Sequence, residues 1–475
     1  MLHALFSGFV ILMLVSLSPS AAATPTEPPI DWTDHDQVER EIEGVIGRAE
    51  LGRFRGSVVI RVGGESVFAR GYGLENSELR PIDPGVNLFD IGSVAKSVTA
   101  ATVLRLIEED KLSLSSTVGE VFGDAAGNLT DVTIEELLRH RSGLGSGGGA
   151  LSQPGALDSA DGLIGALGQV PLGRKQFAYS NAGYFVLAAV IEKVSTGSFE
   201  SITRELVFEP ADLVGVGFVG DGQVPGARPT ARVSRATRGR PSISPMFDYP
   251  WNWGQRGATG VVMTAETAAD WLEAIEAGDW LTQASRETML APSSDGYGLG
   301  LYLDVDEAGR VTRFWHGGST GGFVCHVSRY PLALDGQGAT VVLMAESSID
   351  LNGIAGTIEQ LIAPTPPKPT FAGVYLSAYT DTDDNGVYSI SGDLRWRGMP
   401  QYVGSDGARR IIDARPTIIL EDRASRMWTL ILRLDEDKAG RLLEQLDSVN
   451  RQIASGGWTD ALAERRHVRS GRSRP

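Results

Sequence analysis

One cysteine, Cys325, stands among 475 residues, so no disulfide can form within the chain whatever compartment it occupies. A lone thiol of this kind reads as a buried small apolar side chain. Basic residues are also outnumbered. Against 59 Asp and Glu there are 43 Lys and Arg, a formal net charge of −16, which argues against a nucleic-acid binder with its basic face. Long apolar runs are missing too. The stretch Leu5 to Leu17 is too short to span a bilayer and leads to Ala21-Ala22-Ala23, a small-residue cleavage pattern. Residues 1–23 therefore read as a signal peptide, although they hold no Lys or Arg. With the signal removed, no integral membrane span is expected, and the protein should be exported, periplasmic or secreted.

What the chain does have is 42% hydrophobic residues and 58 glycines, a soluble globular composition with many turns. Its length points to two domains. The plainest boundary is Pro364-Thr365-Pro366-Pro367-Lys368-Pro369, a stiff linker placed at 363–370. Before it, residues 35–362 carry strand patterns at both ends and helices in the middle. The expectation is an α+β sandwich, in which an antiparallel sheet built from N- and C-terminal pieces is flanked by helices around a mostly helical inserted region. Strands are expected at Gly56 to Val62, Glu65 to Ala69, Gly260 to Met263, Tyr297 to Val305, Val311 to Trp315, Phe323 to Tyr330 and Ala339 to Ala345. Thr133 and Glu136 form a capping box for a short helix ending at His140, and Thr264 caps another helix. Beyond the linker, 371–464 reads as a small β-rich accessory module with a helix at Lys438 to Ile453. Residues 465–475, with five arginines, read as a basic disordered tail.

The chemistry concentrates around Ser93-Val94-Ala95-Lys96. At helical spacing Ser93 and Lys96 share a face, and the residues that follow, from Val98 to Ile107, are apolar on nearly every side. A serine and a lysine at the mouth of so buried a helix suggest nucleophilic catalysis. A serine hydroxyl needs a neighbouring base, and a lysine in a dry site can have its pKa lowered enough to serve. The helix N-terminus offers backbone N–H groups to an oxyanion. By itself the tetrad is a weak signal, since it arises often by chance. Two further stretches strengthen it. Tyr179-Ser180-Asn181 puts a phenol that can share proton transfer, and an amide that can bind substrate, just before an apolar helix. His316-Gly317-Gly318-Ser319 lies on a strand whose glycines admit a substrate, with the Ser319 N–H as second oxyanion donor.

Ser, Lys, Tyr, Asn and His in this order resemble the serine β-lactamase-like family, which includes class C β-lactamases, D,D-peptidases of the penicillin-binding type and related esterases. Further stretches share the likeness: Gly56 to Ile60, Gly71-Tyr72-Gly73, Phe89, Thr133 to Leu144, Gly260 to Glu266 and Tyr297-Gly298-Leu299-Gly300. The resemblance covers residues 35–362. It implies that Ser93 is the acylated nucleophile, Lys96 its base partner and Tyr179 a proton shuttle to the leaving group. Asn181, His316 and Gly318 would contact substrate, and the N–H groups of Ser93 and Ser319 would form the oxyanion hole. No metal or cofactor is implied. Whether Lys96 or Tyr179 is the general base stays open. Many members carry Lys-Thr-Gly where this chain has His316, Gly317 and Gly318. A neutral imidazole and a missing hydroxyl weaken carboxylate recognition. The substrates to expect are small amides or esters: D-alanyl peptides, β-lactams or carboxylic esters. A sensor that is acylated with little turnover is the alternative.

Other candidates carry less. Gly317-Gly318-Ser319-Thr320-Gly321 matches G-x-S-x-G, but that motif needs a strand–turn–helix context, and the residues after it read as a strand. His140 and His326 read as packing residues, and Tyr249 to Trp253 as either a pocket wall or loop packing. Asp381 to Gly386 copies half of a calcium loop, but Gly392 stands at its twelfth position, so a solvated hairpin turn is expected.

Overall fold

A computed structural model describes residues 30–50, 54–75, 80–145, 148–230, 232–235, 241–244, 251–306, 308–346 and 351–363, together with four strands beyond residue 370. The expected signal peptide, nearly all of the expected linker, the turn expected at 381–386, the helix expected at 438–453, the expected basic tail, Tyr249 and Pro250 lie outside these residues.

Along the chain run helix α1 (His35–Glu50), strands β1 (Gly56–Val62), β2 (Glu65–Tyr72) and β3 (Asn87–Asp90), and helices α2 (Ala95–Glu108) and α3 (Asn181–Val194). Strands β4 (Val216–Phe218) and β5 (Val261–Met263) follow, then helix α4 (Ala265–Ala277). The last group is β6 (Tyr302–Val305), β7 (Val311–Ser319), β8 (Phe323–Tyr330), β9 (Ala339–Glu346) and helix α5 (Leu351–Ile362).

The main sheet has six strands in the order β2-β1-β9-β8-β7-β6, every neighbouring pair antiparallel. The first strands of residues 35–362 thus pair with the last strands of that stretch, as expected from the sequence. Both faces of its centre are covered. Alternate side chains of a strand point to opposite faces. Val58, Ile60, Val341 and Leu343 pack against α1 and α5, while Val59, Val342 and Met344 belong to the core beneath α2, α3 and α4. This is why β1 and β9 read as unbroken apolar runs. Each fully buried Val, Leu or Ile contributes about 1.5–3 kcal/mol.

Charges also dock α4. Glu266, Asp270, Glu273 and Glu276 fall on one helix face. Arg61 of β1 pairs with Glu266 and Asp270, each at 2.6 Å, and Arg329 of β8 pairs with Glu276 at 2.5 Å. In the inserted region, α2 is buried from Ala95 to Leu104 and again at Leu106, and α3 from Ala182 to Ile191. Both expected caps are present: Thr133 with Glu136 as a full capping box, and Thr264 accepting from the Thr267 N–H.

One expected element differs. The strand predicted from Tyr297 begins only at Tyr302. Gly300 adopts φ +77°, and a Cβ there would sit 2.6 Å from the Lys96 carbonyl oxygen, so the chain turns against α2 before entering the sheet. A second small sheet orders β4, β5, β3 and Arg228–Pro229. Beyond residue 370, Tyr375–Ser377, Val387–Asp393, Met427–Arg433 and Ile418–Asp422 form an antiparallel sheet in that order. No helix among the described residues is long and apolar enough to cross a membrane.

Candidate active site

Ser93 sits in a three-residue turn, Gly92–Val94, that leads into α2. That turn presses against the end of β7. Gly92 has φ +53°, and a Cβ on it would meet the Ser319 nitrogen at 2.6 Å; a Cβ on Gly318 would meet the Ile91 carbonyl oxygen at 2.0 Å. Only glycine at both places lets the turn and the strand lie this close. Their contact brings the Ser319 amide beside the start of the helix.

Lys96, one turn on, is fully buried. Its Nζ lies 3.1 Å from Ser93 Oγ and 3.0 Å from the Ala258 carbonyl oxygen. No carboxylate pairs with it among the described residues. Burial alone lowers its pKa from 10.5 to about 7. A neutral amine has two N–H bonds and one lone pair. With one N–H given to Ala258, the lone pair is free to take the Ser93 proton. The rings of Tyr179 and Tyr184 lie 4.9 Å and 5.5 Å from Nζ and keep the amine dry.

Tyr179 stands beside Ser93. The residue is 39% exposed, so it borders the open side of the site. Protein packed around its hydroxyl raises the phenol above its ordinary pKa, and the neighbouring Ser93 partly opposes this. At rest it is a protonated phenol. Ser180 caps α3, accepting from the Gly183 N–H at 3.1 Å and donating to the Gly145 carbonyl at 2.7 Å. Asn181 then opens the helix with an exposed side chain.

His316 is buried, and burial together with the Lys96 charge lowers its pKa to about 3. Neither ring nitrogen is free. Nδ1 faces the Gly317 carbonyl oxygen at 2.7 Å, and Nε2 faces the Tyr297 hydroxyl at 3.4 Å. Ser319 ends a strand, and the chain enters β8 four residues later with no helix between, so the nucleophile-elbow context is absent.

The structure thus brings Ser93, Lys96, Tyr179, His316, Gly318 and Ser319 together, with Asn181 at the exposed start of α3. Sequence reasoning missed the Ala258 carbonyl, which no side-chain pattern announces, and Tyr297, expected as an ordinary strand residue. His326 lies on the opposite face of the sheet, bonded to Glu359 at 2.8 Å. Trp251 and Trp253 pack on Arg256, each ring centroid 5.1 Å away, and Trp251 also donates to Glu200 at 2.7 Å, which makes this cluster loop packing. Cys325 is buried in the core, and its thiol pKa is pushed up by burial.

A six-stranded antiparallel sheet, a mostly helical insertion and a Ser–Lys pair at the foot of a buried helix define the β-lactamase and penicillin-binding fold class. The Beta-lactamase family model matches residues 38–347, and the chain belongs to that family. PbpX of Bacillus subtilis, by name a penicillin-binding protein, is 28% identical over 257 residues, covering 54% of this chain and 63% of its own length. The teichoic acid D-alanine hydrolase of Staphylococcus aureus is 28% identical over 160 residues, covering 34% of this chain and 40% of its own length. In both, the chain spans less than two thirds of the relative. The crystal structure of a penicillin-binding protein from Bacillus halodurans shares the fold, with a TM-score of 0.57 at 21% identity, covering 67% of this chain and 98% of that one.

Proposed function

We propose that the protein is an exported serine hydrolase that cleaves small esters or amides through an acyl-enzyme on Ser93. The observation that carries this reading is the buried Lys96 amine, 3.1 Å from Ser93 Oγ and with a pKa near 7. Ser93 Oγ attacks the substrate carbonyl while its proton passes to the Lys96–Tyr179 pair. The carbonyl oxygen becomes an oxyanion held by the Ser93 and Ser319 amides. As the tetrahedral intermediate collapses, the bond to the leaving group breaks and Tyr179 returns a proton to that group. Water then attacks the ester on Ser93, releasing the acid and restoring the hydroxyl. Asn181 would bind the acyl side chain.

The substrate class follows from the third stretch. An imidazole held neutral, with both nitrogens engaged, offers no cation to a substrate carboxylate, and Gly317 supplies no hydroxyl. This favours esters and D-alanyl amides or esters over β-lactams, whose carboxylate wants a partner. The sequence of residues 1–23 supports export, and the names of relatives such as a D-alanine hydrolase agree with an envelope substrate.

The test is covalent labelling followed by turnover. A fluorophosphonate should label Ser93, with Ser93→Ala losing the adduct and Ser319→Ala keeping it; the reverse pattern would overturn the assignment. Chromogenic ester and β-lactam substrates, followed by intact mass, should then give steady turnover on esters. A burst without turnover would mean a sensor instead.

A further inference from the structure

Beside the Ser–Lys pair, two imidazoles and a phenol are buried around a single hydroxyl. His140, Tyr297 and His316 come from the end of the short helix Ile134–Leu138, the turn before β6, and β7, and all three are almost wholly enclosed. Buried polar groups need partners, and these three find them chiefly in one another. His140 Nε2 lies 3.2 Å from the Tyr297 hydroxyl, which lies 3.4 Å from His316 Nε2.

The outer hydrogen bonds fix the tautomer of each imidazole. At one end the Ser180 N–H points at His140 Nδ1, 3.1 Å away, so that nitrogen carries a lone pair and Nε2 carries the proton. At the other end His316 Nδ1 faces the Gly317 carbonyl oxygen, so Nδ1 carries the proton and Nε2 the lone pair. These protons are assigned from the network. His140 therefore donates to the Tyr297 oxygen, and His316 Nε2 is an acceptor facing the Tyr297 hydroxyl. Tyr184 packs beside the same hydroxyl, and since its own proton goes to the Leu138 carbonyl at 2.8 Å, its oxygen is a second acceptor for the Tyr297 proton.

What matters is where the ends attach. Ser180 follows Tyr179 directly, and the His140 ring backs the Tyr179 ring at 4.3 Å between centroids. Gly317 lies two residues before Ser319. The hydrogen-bonded row thus runs from the segment that carries the phenol to the strand that carries the second oxyanion amide.

We propose that Tyr297 and His140 are positioning residues, forming with His316 a hydrogen-bonded brace that sets the Tyr179 phenol at a fixed distance from the β7 edge across the cleft. This deepens the serine-hydrolase reading and rests on it. The brace works through Tyr297 and His140, neither of which touches substrate. It acts on the rate of acylation, because that step needs the phenol, the serine and the amides in register at once.

Tyr297→Phe keeps the ring and its packing while removing the hydroxyl that links the two imidazoles. The fluorophosphonate labelling rate of Ser93 and the kcat and KM for a p-nitrophenyl ester are the readouts, with near-UV circular dichroism to monitor packing. The expected result is labelling and kcat at least about tenfold slower, an unchanged KM and an unchanged spectrum. His140→Phe, which keeps a ring against Tyr179 but makes neither hydrogen bond, should lose a similar factor. The double variant should lose little more than either single one, because one brace is broken only once. Wild-type labelling by Tyr297→Phe would overturn the proposal, as would losses that multiply in the double variant or that track loss of the native spectrum. If wild-type protein is not labelled at Ser93 at all, the serine-hydrolase reading fails instead.

Discussion

The two faces of the main sheet each bury an ionisable group, with opposite results. On the cleft face Lys96 is enclosed by tyrosine rings and a carbonyl oxygen with no opposite charge, and burial drags its pKa down from 10.5 to about 7. On the other face Glu359 of α5 is also buried, but it receives His326 at 2.8 Å, Ser328 at 2.6 Å and Arg313 at 2.8 Å. Burial raises its pKa, yet these partners outweigh it and bring the pKa down to about 2. A buried charge whose bonds are all met is a structural device. A buried amine without a counter-charge is held where its neutral form can react. The difference lies in the partners, not in the depth.

Removing each group should separate these roles. Lys96→Met should cut the Ser93 acylation rate on the order of 10²–10⁴-fold, the usual worth of a positioned base. Denaturant unfolding should show no loss of stability, because an unpaired buried amine leaves with it. A destabilised but active variant would erase the contrast. Glu359→Ala should do the reverse. Leaving Arg313 and His326 without their carboxylate should cost about 3–5 kcal/mol in denaturant unfolding while kcat/KM stays near wild type at a permissive temperature.

The pH dependence of stability should show both faces in turn. Between about pH 7 and 10.5 the unfolded chain keeps the Lys96 proton that the native protein has released, so stability should rise with pH across that window and level off below it. Lys96→Met should flatten that rise. Glu359 contributes fully above its unfolded value of 4.5, and that contribution should fade as pH drops toward about 2. Thermal unfolding of wild type and the two variants over pH checks both slopes. The smallest effect belongs to a residue on neither site. Thr264→Ala removes the cap of α4 and should cost about 1 kcal/mol with kinetics intact.

Local signals made much of this legible. The apolar runs of β1 and β9, the capping residues Thr133 and Thr264, and the three-residue spacing of Ser93 and Lys96 are all short-range patterns, and the structure contains each of them. The brace was not legible. His140 and Tyr297 are 157 positions apart, and neither carries a spacing that points to the other. Tyr297 also looked like part of a strand, because nothing in Gly298-Leu299-Gly300 reveals that the chain must turn against the Lys96 carbonyl. By its local sequence His326 reads as strand packing; its acid partner Glu359 sits 33 residues away on α5 and emerges only when that helix docks. Ala258 contributes through its backbone, which sequence patterns do not show.

The most direct test of the account is the rate of Ser93 acylation by a fluorophosphonate, measured on either side of pH 7 in wild type and in Lys96→Met. The rate should climb through a single ionisation near pH 7 in wild type, and the residual rate of the variant should show no such step. A step of equal size in Lys96→Met, or an adduct on Ser319, would contradict it.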